Sequence, residues 1–171
     1  VNLDVSSAAN RNAYAAANQD RLLFGQLISN YSATFATALG NIDTTNDKAT
    51  VATLSLAKRM AKLADTHIRP FKTATGREYF VAFHGSRSFR DIKADTTMVS
   101  ANRDARAREG SGMDENPLFQ DGDVIYDGIM HREVPEIDDI AGTGTYQLDA
   151  QGAASADVRP IFVCGAQAVG V

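Results

Sequence analysis

At 171 residues the chain is long enough for one domain with a sizeable core, and its 22% charged and 44% hydrophobic residues are those of a soluble globular protein. A net charge of -4, from 17 Lys plus Arg against 21 Asp plus Glu, argues against nucleic-acid binding over a broad basic face. The single cysteine, Cys164, excludes an internal disulfide framework and a Cys-rich zinc site, and no apolar run approaches the roughly 20 residues that span a bilayer.

The chain begins at Val1 without Met and stops at Val171 inside an apolar, small-residue stretch, so a piece of a longer protein is expected. Residues 1–45 are rich in Ala, Asn, Ser and Thr. Asp4 or Ser6 is placed to cap a helix through Ala8 to Ala17, where alanine favours the conformation. Arg21-Leu22-Leu23-Phe24-Gly25 interrupts with a compact apolar cluster. A second helix is expected over Ser32 to Leu39, with Phe35 and Leu39 one turn apart and Gly40 as its stop. Small residues allow close backbone packing, but the same composition suits a loosely held arm.

From Asp47 the periodicity strengthens. Asp47 or Thr50 is placed to cap a helix running to Ala64, with Leu54, Ala57, Ala61 and Ala64 on one stripe and Leu56, Met60 and Leu63 widening it. Lys58, Arg59 and Lys62 fall toward its other side and its end, where cations suit the helix dipole. Ile68-Arg69-Pro70 ends it. Tyr79 to Phe83 is apolar on both faces, which predicts a central strand covered on both sides. After the turn His84-Gly85-Ser86, Ser86 or Ser88 is expected to cap a short helix carrying Phe89 and Ile92. Residues 93–115 are polar and hold Gly110 and Gly112, which predicts an exposed loop with some helix in it.

The stretch Asn116 to Glu136 is built for shape. Asn116 precedes Pro117 and so avoids the helical region. Leu118 and Phe119 form an apolar anchor, and Gln120, Asp121, Gly122 and Asp123 make a turn. Ile129 to Val134 reads as a strand ending at Pro135, which cannot donate to a ladder. A small-residue loop over 138–157 leads to a last strand, Arg159 to Cys164. The order of helix, strand, helix, loop, strand, loop, strand predicts one α+β unit.

No constellation for catalysis is legible. His67, His84 and His131 lack the spacing of metal ligands and read as satisfied structural or surface histidines. Asp121, Asp123 and Asp127 lack the Gly and Glu positions of a calcium loop and read as a solvated turn. Ala141-Gly-Thr-Gly144 has no following Gly-Lys-Ser, and Ser86 sits in no nucleophile elbow. Cys164 falls in an expected buried strand, where a thiol is a small inert hydrophobe. Arg103, Arg106 and Arg108, interleaved with Asp104 and Glu109, read either as a solvated loop or as ion-pairing groups for a neighbouring subunit.

Several motifs, taken in order, resemble the major capsid proteins of tailed bacteriophages and prophages, the shell proteins of the Hong Kong ninety-seven fold, in the branch found in podoviruses of the N-four type. They are Arg21 to Gly25 with Ser29-Asn30-Tyr31, Leu54 to Ala64 with Ile68-Arg69-Pro70, Tyr79 to His84, Asn116-Pro117-Leu118-Phe119, Tyr126-Asp127-Gly128 and Phe162 to Ala168. The resemblance implies an α+β phage major capsid shell fold in truncated form: a spine helix of the peripheral domain plus an axial-domain sheet with flanking helices. Residues 1–45 would be a helical or irregular arm-like segment, 46–69 the spine-helix part of the peripheral domain, and 70–171 an axial-domain-like core.

The implied function is that of a structural subunit, not an enzyme, self-assembling into an icosahedral shell around the genome. Its partners would be copies of itself in capsomers, packaged DNA by weak non-specific contact, and scaffolding or portal proteins during assembly, with no cofactor and no membrane. It would reside in the virion capsid, and in the host cytoplasm during assembly. Arg87, Arg90, Arg103, Arg106, Arg108, Asn116 and Phe119 are the expected inter-subunit contacts. Two other readings stay open at this point, a small α+β enzyme or ligand-binding domain and an encapsulin-like compartment shell.

Overall fold

A computed structural model of the chain describes residues 7–43, 45–109, 119–120, 123–140 and 158–166. Helix α1 spans Ala8–Ala17, and its cap is Ser7, whose side chain accepts the Asn10 N–H at 3.1 Å. Neither of the two expected caps fills that position. Helix α2, Phe35–Gly40, starts three residues later than expected because its first N–H is met from outside, by Asn12 Oδ1 of α1 at 2.9 Å. The Tyr31 hydroxyl donates to the Ala15 carbonyl at 3.0 Å. Phe24, Ala38, Leu39 and Ile42 then form a satellite core, with the Phe24 and Phe35 rings edge to face at 5.6 Å. Val158 packs on it from far along the chain.

Helix α3, Val51–Leu63, is capped by Thr50, whose hydroxyl accepts the Thr53 N–H. Asp47 does something else. Its carboxylate accepts from Gln26 N at 2.7 Å, Asp43 N at 2.9 Å and Asn30 Nδ2 at 3.3 Å, tying the Gly25 turn to the approach of α3. Gly25 has φ 65, and a Cβ there would meet that carboxylate. Val51, Leu54 and Ala61 are buried, whereas Leu63 is 68% exposed. At about 100° per residue, nine steps from Leu54 carry Leu63 to the far side of the helix. It does not widen the stripe.

Beyond α3, a six-stranded mixed sheet forms, with strand order β1-β2-β5-β4-β3 and β6 also on β2. The strands are β1 Phe71–Lys72, β2 Glu78–His84, β3 Phe119–Gln120, β4 Asp123–Tyr126, β5 Ile129–Glu133 and β6 Ile161–Cys164. As its composition predicts, β2 is central: parallel to β5 and antiparallel to β1 and β6. Its two faces are unequal, however. Phe80, Ala82 and His84 are fully buried, while Tyr79, Val81 and Phe83 are half-buried. The hairpin of β4 and β5 turns through Asp127 and Gly128, with φ of 49 and 68. Left-handed backbone at both positions is the two-residue turn that matches strand twist. The strand expected over Ile129 to Val134 is present, and β3 and β4 are additions to the sequence reading.

Helix α4, Ser86–Ala94, has Gly85 as its N-cap, and neither Ser86 nor Ser88 caps it. Ser88 Oγ instead donates to the Gly85 carbonyl at 3.1 Å, and the Arg87 N–H finds Asp138 Oδ2 at 3.3 Å. Helix α5, Thr96–Glu109, replaces most of the loop expected over 93–115. Asp95 starts it, accepting from Thr97 N at 2.8 Å with Oδ1 and from Val51 N of α3 at 2.9 Å with Oδ2. Helix α6, Glu136–Ile140, follows Pro135. The glycine-rich loop expected beyond it lies outside the described residues.

The main core lies between one sheet face and three helices. Phe80, Ala82, Val124 and Ile129 meet Val51, Leu54 and Ala61 of α3, Phe89 and Ile92 of α4, and Met98 of α5. Each large side chain buried this way contributes about 1.5–3 kcal/mol relative to exposure.

Candidate inter-subunit surface and the buried histidine pair

The outward face of α4 carries charge because its inward face must be apolar. Ser88, Phe89 and Ile92 point into the core, and Arg87, Arg90 and Lys93 follow at three-residue steps on the exposed side. Lys93 Nζ lies 4.5 Å from the Phe89 ring centroid, a cation over an aromatic face. Arg87 and Arg90 are thus brought together on one surface, and Lys93 extends it. The i, i+3, i+6 spacing in SRSFRDIKA held that signal.

Arg103 is exposed on α5, which packs against α4. Arg106 and Arg108 stand on the last turns of the same helix, so the arginine run is helical and not a loop. Phe119 opens β3, opposite Val124. Asn116 lies outside the described residues.

Exposed apolar side chains mark further surface. Leu27 and Ile28, at a short 3-10 turn over Ile28–Asn30, are 58% and 57% exposed. The register of Val81 with Met130 and Cys164, and of Phe83 with Phe162, places these residues on the sheet face away from the helices. Phe162 is 45% exposed there, and Cys164 is half-buried where a buried position was expected. Partial burial raises its thiol pKa, so it stays protonated and unreactive.

Asp127, expected in a solvated turn, fastens the hairpin to α3. Its Oδ2 accepts from Ser55 Oγ at 2.9 Å, its Oδ1 pairs with Lys58 Nζ at 3.1 Å, and Lys58 also donates to its carbonyl.

Two of the three histidines are wholly buried. His84 ends β2 and His131 lies on β5, where the parallel register sets Ala82 opposite His131 and brings the two rings onto the core face. His84 Nε2 and His131 Nδ1 are 3.2 Å apart, with ring centroids at 5.3 Å. His84 Nδ1 and His131 Nε2 are buried without any partner, so these histidines are only half satisfied. Burial, then the charge His131 would carry, lowers the His84 pKa to about 3, and burial lowers that of His131 to about 4. Their separation of 47 residues hid the pairing from any spacing argument. Among the described residues no three His, Cys, Asp or Glu side chains converge as a metal site requires.

This layered α+β unit has charged and apolar groups on open faces and two of its three histidines locked in the core. It is the fold of a shell protein, and the chain belongs to the phage capsid protein family, whose model matches residues 4–171. Its structure is similar to a chain of the Cyanophage Pam1 capsid asymmetric unit, with a TM-score of 0.81 and 53% identity. The similarity covers 98% of this chain and 44% of that one, so the chain spans less than half the length of its cyanophage relative. No curated protein matches it.

Proposed function

We propose that the protein is a structural subunit of a tailed-phage or prophage icosahedral capsid, joining copies of itself into the shell that encloses the genome. The observation that carries this is the agreement of fold along 98% of the chain with the cyanophage capsid at 53% identity. In this reading residues 46–69 form the spine-helix part of a peripheral domain, 70–171 the axial-domain-like core, and 1–45 the arm-like segment. The arginine stripe of α4, with Arg103, Arg106, Arg108, Asn116 and Phe119, contributes to contacts between copies. Arginine suits that role because its planar fork meets carboxylates with fixed geometry.

A self-assembling shell needs a rigid unit with reactive edges, repeated by symmetry. Rigidity is supplied by a central strand paired along both edges and helices on one sheet face. Obligate interfaces of this kind bury roughly 2,000 Å2 or more in total. The acidic balance of -4 favours only weak, non-specific contact with packaged DNA. Assembly would take place in the host cytoplasm, with scaffolding or portal proteins as further partners. Electron microscopy of the full-length product tests the reading: closed shells or capsomer-sized rings are expected, and a persistent monomer at all concentrations overturns it.

A further inference from the structure

We propose that His84 and His131 form an acid-released latch between the central strand β2 and its parallel neighbour β5, closed while both rings are neutral and forced open by proton uptake. This does not depend on the shell-forming role. It rests on two rings of zero exposure whose nitrogens lie 3.2 Å apart, with the two remaining nitrogens sealed off from any partner.

The proton count explains why the latch has one stable state. In the neutral pair one ring donates its N–H and the other accepts it, in either tautomer arrangement. That leaves one buried N–H and one buried lone pair unmatched. A first added proton keeps the shared bond but places a cation, and a second unmatched N–H, in an apolar core. A further proton turns all four ring nitrogens into donors, removes the acceptor and sets two cations 5.3 Å apart. Among the described residues neither of the two remaining ring nitrogens has a hydrogen-bond partner that could share the added charge.

Among the described residues the neighbours of the pair include three apolar side chains: Phe89 of α4 at 6.0 Å from the His84 ring, Val124 of β4 opposite His131, and Ile161 of β6 opposite His84. Among the described residues no titratable group of these elements hydrogen-bonds either ring apart from the two histidines themselves. Arg87, Arg90 and Lys93 of α4 and Arg132 and Glu133 of β5 are exposed, as are Arg103 of α5, Glu136 of α6 and Asp127 of the β4–β5 turn. Asp91 and Asp95, at α4 and its end, are half-buried, as are Lys58 of α3, Arg159 and Cys164. Asp138 directs Oδ2 to the Arg87 N–H while its Oδ1 is buried without a hydrogen-bond partner, and Asp95 accepts from Thr97 N of α5 and Val51 N of α3.

The direction follows from linkage. Both rings hold protons less tightly when folded, so the unfolded chain binds more protons between its ordinary histidine range and the folded values of about 4 and about 3. Stability is therefore complete above roughly pH 6.5 and falls as the pH drops toward the folded values. With two protons taken up, the folding constant falls by as much as about a hundredfold per pH unit. The paired carboxylate of Asp127 acts below about pH 4, so it does not contribute over the upper part of the histidine window.

The test is carried out on the purified protein. Long-range 1H–15N spectra of the histidine rings are recorded from pH 7 downward, alongside urea denaturation at pH 4.5–7. Both buried rings should stay neutral until the protein opens, with one N–H shared between Nε2 and Nδ1. His131→Gln should reduce the slope to about tenfold per pH unit by removing one proton. Either ring titrating near its ordinary value in the folded protein overturns the proposal, as does a slope unchanged in both His131→Gln and His84→Gln. If neither variant folds, the ring spectra of the unaltered protein decide the matter alone.

Discussion

The carboxylate of Asp138, on α6, fills the space that a side chain on Gly85 would need, and its Oδ2 accepts the Arg87 N–H in the first turn of α4. Arg159 adds to the junction by donating from Nη1 to the Asp138 carbonyl at 3.3 Å. A glycine is required here for room, not for backbone freedom. Gly85→Ala should cost about 1–3 kcal/mol by forcing the carboxylate out of place. Asp138→Ala removes the cap at about 0.5–2 kcal/mol. Because the second change also removes the clash, the pair should cost clearly less than the sum, as a urea-denaturation cycle would show.

Asp47 is the anchor of the N-terminal third. Its side chain accepts from two backbone amides and one side-chain amide across the segment 26–43. Asp47→Ala should cost about 2–3 kcal/mol, because backbone donors lose a charged acceptor. Asp47→Asn should recover little, since one oxygen becomes a donor facing an N–H. Thermal unfolding measures both, and proteolysis within residues 1–45 should accelerate alongside.

The fastening of α3 to the β4–β5 turn predicts a small, salt-sensitive term. Lys58→Met should cost less than about 1 kcal/mol, and added salt should shrink the difference, because the Asp127 side chain is 41% exposed. Partial burial pushes the Asp127 carboxyl up, but the Ser55 hydroxyl and the Lys58 ammonium outweigh it and hold it below its usual range. Its contribution is thus present above about pH 4 and lost as the pH falls through the lowered folded value. Asp127→Val should be worse than Lys58→Met, by about 1–2 kcal/mol, because a β-branched residue is strained at φ 49.

The exposed face of α4 separates assembly from folding. Arg90→Glu touches no buried group, so its unfolding midpoint should stay within about 0.5 kcal/mol of the original. Shell or capsomer yield, read by sedimentation at several salt concentrations, should drop. Yield unchanged at every salt concentration would remove α4 from the contact surface.

Much of the architecture was legible where one residue pattern meets one physical demand. The apolar run Tyr79 to Phe83 could only be a central strand, although among the described residues helices cover one of its faces and not both, and Leu54 with Ala61 could only be a helix stripe. What escaped had its cause elsewhere in the chain. The polar sequence of α5 has Met98 as its buried anchor among the described residues, and its cap Asp95 also serves α3, so local periodicity was silent. The strand β4 is four residues long and starts with an acid that propensity disfavours. Ser86 and Ser88 looked like caps, but Gly85 holds that position and Asp138, some fifty residues on, accepts the Arg87 N–H. His84 and His131 meet only through a parallel register that no spacing rule encodes.

Asp95 sits where α4 ends, and one oxygen of its carboxylate serves the start of α5 while the other serves the start of α3. Two helices far apart in sequence therefore share a single mooring. Slackening it would let both fray in concert, so amide exchange at Val51 and at Thr97 should rise and fall together, like two gates hung on one post.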